Sequence, residues 1–103
     1  MTIELAGEFY DVKFLRDFYL GGVARVRLVL LTGEPFAEIS CNCNRQATPG
    51  CFWLKDWSEN AVVVAQLIQA GMIEVTGFYT DLGRVVAKEA RLNKSLGVTC
   101  SAN

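Results

Sequence analysis

Over residues 9–19 apolar and polar side chains alternate. Tyr10, Val12, Phe14 and Phe18 fall on one side of an extended segment, and Asp11, Lys13 and Asp17 largely on the other, the pattern of a half-buried strand. Arg16 interrupts the apolar side and is expected at its edge. Gly21-Gly22 supplies the positive dihedrals of a tight turn. A second alternation over 23–31 then sets Ala24, Val26, Leu28 and Leu30 against Arg25 and Arg27, so the two runs predict a hairpin. Thr32-Gly33-Glu34-Pro35 turns the chain again into a third strand over 36–43, with Ala37, Ile39 and Cys41 inward and Cys43 at the end of the same face. Connections this short make an antiparallel meander the expected arrangement.

The stretch 44–50 has no periodicity and ends in Pro49-Gly50, which predicts an exposed loop. Residues 51–55 form a short fourth strand that delivers the chain to a helix over 58–70. Ser58 is suited to cap that helix, with Trp57 and Val62 at the positions of a hydrophobic staple; Asp56 with Glu59 is the competing capping box. Val64, Leu67 and Ile68 recur at helical spacing and are expected in the core, and Gly71 supplies the left-handed residue that ends the helix. The run Val62-Val63-Val64 is a poor helix former, by about 0.5 kcal/mol per residue relative to alanine, so tertiary packing must hold the helix. A strand over 72–76 follows, then turns at Gly77 and over 79–83. The run 84–92 reads as an edge strand in preference to a helical turn, and 93–103 as a frayed tail. The expected fold is one α+β domain spanning 1–103, an antiparallel sheet of four to six strands with one principal helix on one face.

Composition adds limits rather than a function. A chain of 103 residues with 51% hydrophobic residues, among them two tryptophans, three tyrosines and six phenylalanines, is large enough for a real core without staples. A net charge of −1 with intermixed signs argues against a nucleic-acid binder, which carries a basic stripe. It argues equally against an acidic nucleic-acid mimic or a membrane-surface protein. The first residues lack the basic start and apolar centre of a signal peptide, and no apolar run reaches the length of a span. A cytoplasmic location follows as the expectation, and with it reduced cysteines.

Catalytic chemistry finds little support. There is no histidine in the chain, so serine and cysteine nucleophiles lack their usual base. Asp56 and Glu59 are explained by their place in the first helical turn. Cys41, Cys43 and Cys51, with Cys100 far away, form the one metal-like pattern, yet zinc sites draw on C-x2-C pairs and a fourth ligand is missing; buried thiols acting as small apolar side chains are the expected state. No metal or cofactor is expected. Trp53 and Trp57 are either both core, or one of them stands at the rim as a binding anchor. Lys55 lies between them, and Arg25 and Arg27 have no folding task that the sequence reveals. These five residues are the candidate partner-binding surface; a dimer through the tryptophans is left open.

Gly33-Glu34-Pro35-Phe36-Ala37, then Trp53-Leu54-Lys55-Asp56-Trp57-Ser58-Glu59-Asn60, then Leu67-Ile68-Gln69-Ala70-Gly71-Met72-Ile73 and Thr76-Gly77, resemble small bacterial proteins grouped as domain of unknown function 4313. The resemblance covers most of 33–92. The cysteines around Asn42 and the length after Leu92 depart from it. Members travel on plasmids, phages and integrative elements and have no assigned catalytic residues. The resemblance therefore implies a non-enzymatic protein that binds a large protein partner. The leading expectation is an inhibitor of a host defence complex, of anti-CRISPR or anti-restriction type. The alternatives are a structural or regulatory accessory of the element, or an enzyme not visible in the sequence.

Overall fold

The computed structural model describes residues 1–93 and the backbone of Thr99–Cys100. The fold is α+β. A first sheet runs in the order β1 (Thr2–Leu5), β2 (Glu8–Phe18), β3 (Ala24–Leu30), β4 (Pro35–Glu38), the antiparallel meander that the alternation predicts. The second sheet holds β5 (Cys51–Leu54), β6 (Ile73–Asp81) and β7 (Val86–Leu92) in the order β5-β7-β6. Between β5 and β6 a 3-10 turn at Ser58–Asn60 passes into α1 (Ala61–Gln69). β8 (Thr99–Cys100) pairs in parallel with β2 at Leu15 and Arg16. The rest of the expected frayed tail beyond Asn93 lies outside the described residues.

The helix obeys its apolar spacing only in part. Val64 and Leu67 are buried as expected, but their companion is Val63, whereas Ile68 is exposed. Val63, Val64 and Leu67 pack on Ile3, Val12, Phe14, Val26, Leu28, Ile39, Phe52 and Leu54. The helix start also differs from both capping schemes: neither turn has a side-chain cap. Val62 is exposed, so there is no staple; Trp57 packs in a second, smaller cluster with Val23, Trp53 and Ala87. Asp56 instead pairs with Lys88 at 3.1 Å. What anchors the helix start is buried Asn60, whose Nδ2 donates to Glu38 O at 2.6 Å and to Lys55 O at 3.1 Å, tying the turn to the ends of β4 and β5. The helix ends as Gly71 predicts. At φ 72°, Gly71 N–H reaches Ile68 O and Met72 N–H reaches Leu67 O, the paired bonds of a Schellman motif.

Three strand expectations need correction. Residues Thr2–Leu5, to which the sequence reading gives no element, form β1, with Ile3 and Leu5 alternating with Thr2 and Glu4; Ala6 and Gly7, both at positive φ, make the two-residue turn into β2. Phe18 is exposed rather than inward. Strand β6 does not stop at Gly77 but runs through it, placing three residues between Val75 and Tyr79 where β7 places one between Ala90 and Lys88, a bulge with Gly77 at φ 103°. β7 pairs with β5 on one side and with β6 on the other, so it is the central strand of its sheet and not an edge.

The two sheets are joined by the segment that follows β4. Ile39 N–H donates to Val26 O, Lys55 N–H to Ile39 O and Cys41 N–H to Trp53 O, at 2.8–3.1 Å, and Ser40 bridges Leu54. Ser40 Oγ also accepts from Val26 N–H at 2.8 Å and donates to Val26 O at 3.3 Å, replacing strand bonds with side-chain ones. Two predictions follow. Leu67→Ala is expected to lower unfolding free energy by about 2–5 kcal/mol, and Ile68→Ala by no more than about 1 kcal/mol; equal losses in denaturant titration would refute the helix orientation. Ser40→Ala takes the acceptor from Val26 N–H, while Val26 O keeps Ile39 N–H, and is expected to cost about 1–3 kcal/mol, read as an unchanged m-value with a lower midpoint.

Candidate functional site

Opposed residues in an antiparallel pair share a face, so the register of the second sheet divides it cleanly. Trp53↔Glu89 and Thr80↔Ala87 lie on one face; Phe52↔Ala90, Ile73↔Leu92, Val75↔Ala90 and Tyr79↔Lys88 lie on the other. Each face presents a distinct surface, and the joint between the sheets forms a third.

The Glu89 face is closed by its own loop. Glu89 is buried, and its carboxylate accepts from Thr48 N–H at 2.9 Å, Thr48 Oγ1 at 3.0 Å and Thr76 Oγ1 at 2.7 Å, with the Cys51 thiol as a further donor. Burial alone pushes this carboxyl up; the converging donors outweigh it and hold it below the usual carboxylate range. Trp53 Nε1 donates to Arg45 O at 2.9 Å, and Arg45 Nη1 to Thr80 Oγ1 at 2.7 Å. The 44–50 loop that the sequence marks as exposed is thus pinned at Arg45 and Thr48. Every oxygen of Glu89 is committed to structure.

The joint carries a polar cleft of about 610 Å3 lined by Tyr19, Glu38, Ser40, Cys41, Asn42, Lys55 and Trp57. Tyr19 Oη donates to Glu38 Oε2 and lies 2.9 Å from Ser40 Oγ. Burial first, and then the Glu38 carboxylate, raise the phenol well above its ordinary value, so it stays a neutral donor. Arg25 Nη2 and Nε reach Glu38 Oε1 at 2.9 and 3.2 Å, and the guanidinium lies 5.4 Å above the Tyr19 ring. Lys55 Nζ meets Glu59 at 3.4 Å.

The other face of the second sheet is apolar, and one end of it is bare. Nine residues of α1 span about 14 Å at about 1.5 Å each, whereas the nine residues of β6 span about 30 Å. The helix therefore covers the Ile73, Ala90, Leu92 end of the inner face and stops. Beyond it Val75, Tyr79, Val86 and Lys88, with Phe78 from the bulge, line a groove of about 310 Å3. Phe78 and Tyr79 are each 67% exposed, so the groove leaves a contiguous apolar patch in contact with water.

Of the five residues singled out from sequence, the structure gathers Lys55, Trp57 and Arg25 around the joint cleft, the two side chains lining it and Arg25 reaching it through Glu38. Trp53 is buried with its ring nitrogen satisfied. Arg27 pairs with Asp17 at 2.6 Å, away from that cleft's lining. Both arginines thus have folding tasks, contrary to the sequence reading. Phe78 and Tyr79 were missed because Gly77 reads as a strand end; the signal available was the aromatic pair resuming β-forming character before the next turn. Cys51 is buried, and Cys41 and Cys43 are half-buried; among the described residues no group of three metal-ligating side chains converges. No described helix is long and apolar enough to cross a membrane. No family model, curated protein or solved structure matches the chain.

Glu89 generates a pH prediction. Its folded pKa lies below the unfolded value of about 4.3, so its stabilisation is complete above that value and is lost as pH falls through the folded pKa. Glu89→Gln is expected to cost about 1–3 kcal/mol at neutral pH. The gap to the parent protein should narrow as unfolding is measured at progressively lower pH below 4; a gap independent of pH would remove the charged-acceptor account.

Proposed function

We propose that the chain is a non-enzymatic protein-binding domain, and that its target is a host defence complex of the kind that the mobile-element resemblance implies. The observation that carries the binding reading is the inner sheet face left bare beyond the end of α1. Val75, Phe78, Tyr79 and Val86 continue the surface on which α1 packs, so the occupant that fits is an amphipathic helix of the partner, laid as a second segment of the same layer. Lys88, already paired with Asp56, marks the boundary between the covered and open halves and supplies a polar rim. The joint cleft with Trp57 and Lys55 is the secondary surface. The carboxylates, hydroxyls and arginines there are engaged with one another, which supports a structural role for them over a catalytic one.

Phe78→Asp and Tyr79→Asp test the reading, since both side chains are exposed and the fold does not need them. Each is expected to weaken stoichiometric capture of a defence nuclease complex by about 2 kcal/mol, roughly 30-fold, and to abolish protection of incoming DNA in a plasmid-survival assay, with thermal unfolding unchanged. Trp57→Ala is expected to have the smaller effect on binding. A partner drawn from the element's own machinery, without any defence phenotype, would assign the accessory role instead. Turnover of a host component at substoichiometric protein would overturn the binding reading altogether.

A further inference from the structure

We infer that the free edge of β6 pairs with the same edge of a second copy of this chain, so that the two second sheets become one continuous sheet. The edges formed by β1, β4 and β5 are each engaged within the chain. Gln66 clamps Glu4 at the edge of β1 through both atoms of its amide. Strand β4 begins at Pro35, which has no N–H, and its last carbonyl, Glu38 O, is held by Asn60. Strand β5 receives the 39–41 segment. Features of this kind keep sheet edges from associating. Strand β6 is nine residues long, contains no proline, lysine or arginine, and pairs with β7 alone among the described residues.

The hydrogen-bond phase of β6 selects the occupant. Asn93 N–H donates to Met72 O at one end of the β6–β7 pair, and Leu82 N–H to Val85 O at the other. Bonded and non-bonded positions alternate along an antiparallel pair, so Glu74 and Thr80 turn their backbone groups toward Arg91 and Ala87. Ile73, Val75, Tyr79 and Asp81 turn theirs to the open side. These four positions are symmetric about Gly77. A two-fold axis through Gly77, normal to the sheet, therefore sets Val75 opposite Tyr79 of the second copy and Ile73 opposite Asp81 of the second copy, with every outward N–H and C=O at those positions matched. Such self-complementarity is what a contact between identical copies requires; an edge built for a foreign strand has no need of it. The same axis keeps each face on its own side. Val75 and Tyr79, both exposed, then form apolar cross-strand pairs on the face that carries the groove, and Glu74 meets Thr80 of the second copy, so no like charges are opposed. At the axis nothing lies within 4 Å of where a Cβ on Gly77 would stand, which lets the two backbones approach. The pairing uses the edge of the sheet and is independent of the proposed defence target.

The test uses the purified full chain alone, so its result is separate from any search for a partner. Sedimentation across a dilution series is expected to show a reversible monomer–dimer equilibrium. Residue-resolved hydrogen exchange of the parent protein should protect the Val75 and Tyr79 amides only at concentrations where the dimer forms, with the Glu74 and Thr80 amides protected throughout; this needs no variant to fold. Val75→Lys and Tyr79→Glu should each weaken the dimer by about 10-fold, since either one disrupts both symmetry-related cross-strand pairs. An equimolar mixture of the two variants should associate more tightly than either alone, because the register sets the introduced charges opposite each other. A chain that stays monomeric to millimolar concentration, or two variants that fail to rescue each other, would overturn the proposal. Protection of the Val75 and Tyr79 amides at every concentration would overturn it too, by assigning the edge to another segment of the same chain.

Discussion

The fold depends on the four residues Glu38 to Cys41, which belong to two sheets at once. Their backbone is bonded to Val26 on one side and to Trp53 and Lys55 on the other. Asn60 adds the start of the helix to the same joint through Glu38 O. Without these bonds β1–β4 and β5–β7 are two small sheets, each with one apolar face and too little area to bury it. With them, a single helix lies over both and one core forms around Leu28, Ile39, Leu54 and Leu67. The charged groups that crowd the outer side of the joint follow from this demand. Tyr19, Arg25, Glu38 and Ser40 satisfy one another where backbone groups alone leave donors and acceptors over.

A short helix over a long sheet explains where the bare apolar groove lies. Gln66 uses its side-chain amide to continue the edge of β1, donating to Glu4 O at 2.8 Å and accepting from Glu4 N–H at 2.9 Å. This fixes the helix toward the first sheet, and the far end of β6 stays uncovered as a consequence. The Gly77 bulge then turns Phe78 and Tyr79 outward together instead of alternating them. Packing of the core and exposure of the groove are thus two results of one placement.

The sequence by itself determined the meander, the α+β class, the burial of Val64 and Leu67 and the helix stop at Gly71, because period-two alternation, period-3.6 spacing and glycine's access to positive φ are local properties. Tertiary structure alone decided the rest. Val63 rather than Ile68 completes the buried helix face because Asn60 and Gln66 set the rotation of the helix through contacts remote in sequence. Ser58 and Asp56 are sound caps by local rules, but Asn60 is the residue that reaches two strand ends. Arg25 and Arg27 look free in an alternating strand, and their partners Glu38 and Asp17 become neighbours only when the strands pair. Gly77 reads as a stop and serves as a bulge, since whether a chain breaks or merely slips depends on the strand beside it. For the same reason the bare groove was not legible: exposure of Phe78 and Tyr79 is set by how far a helix elsewhere in the chain extends, and no local pattern carries that length.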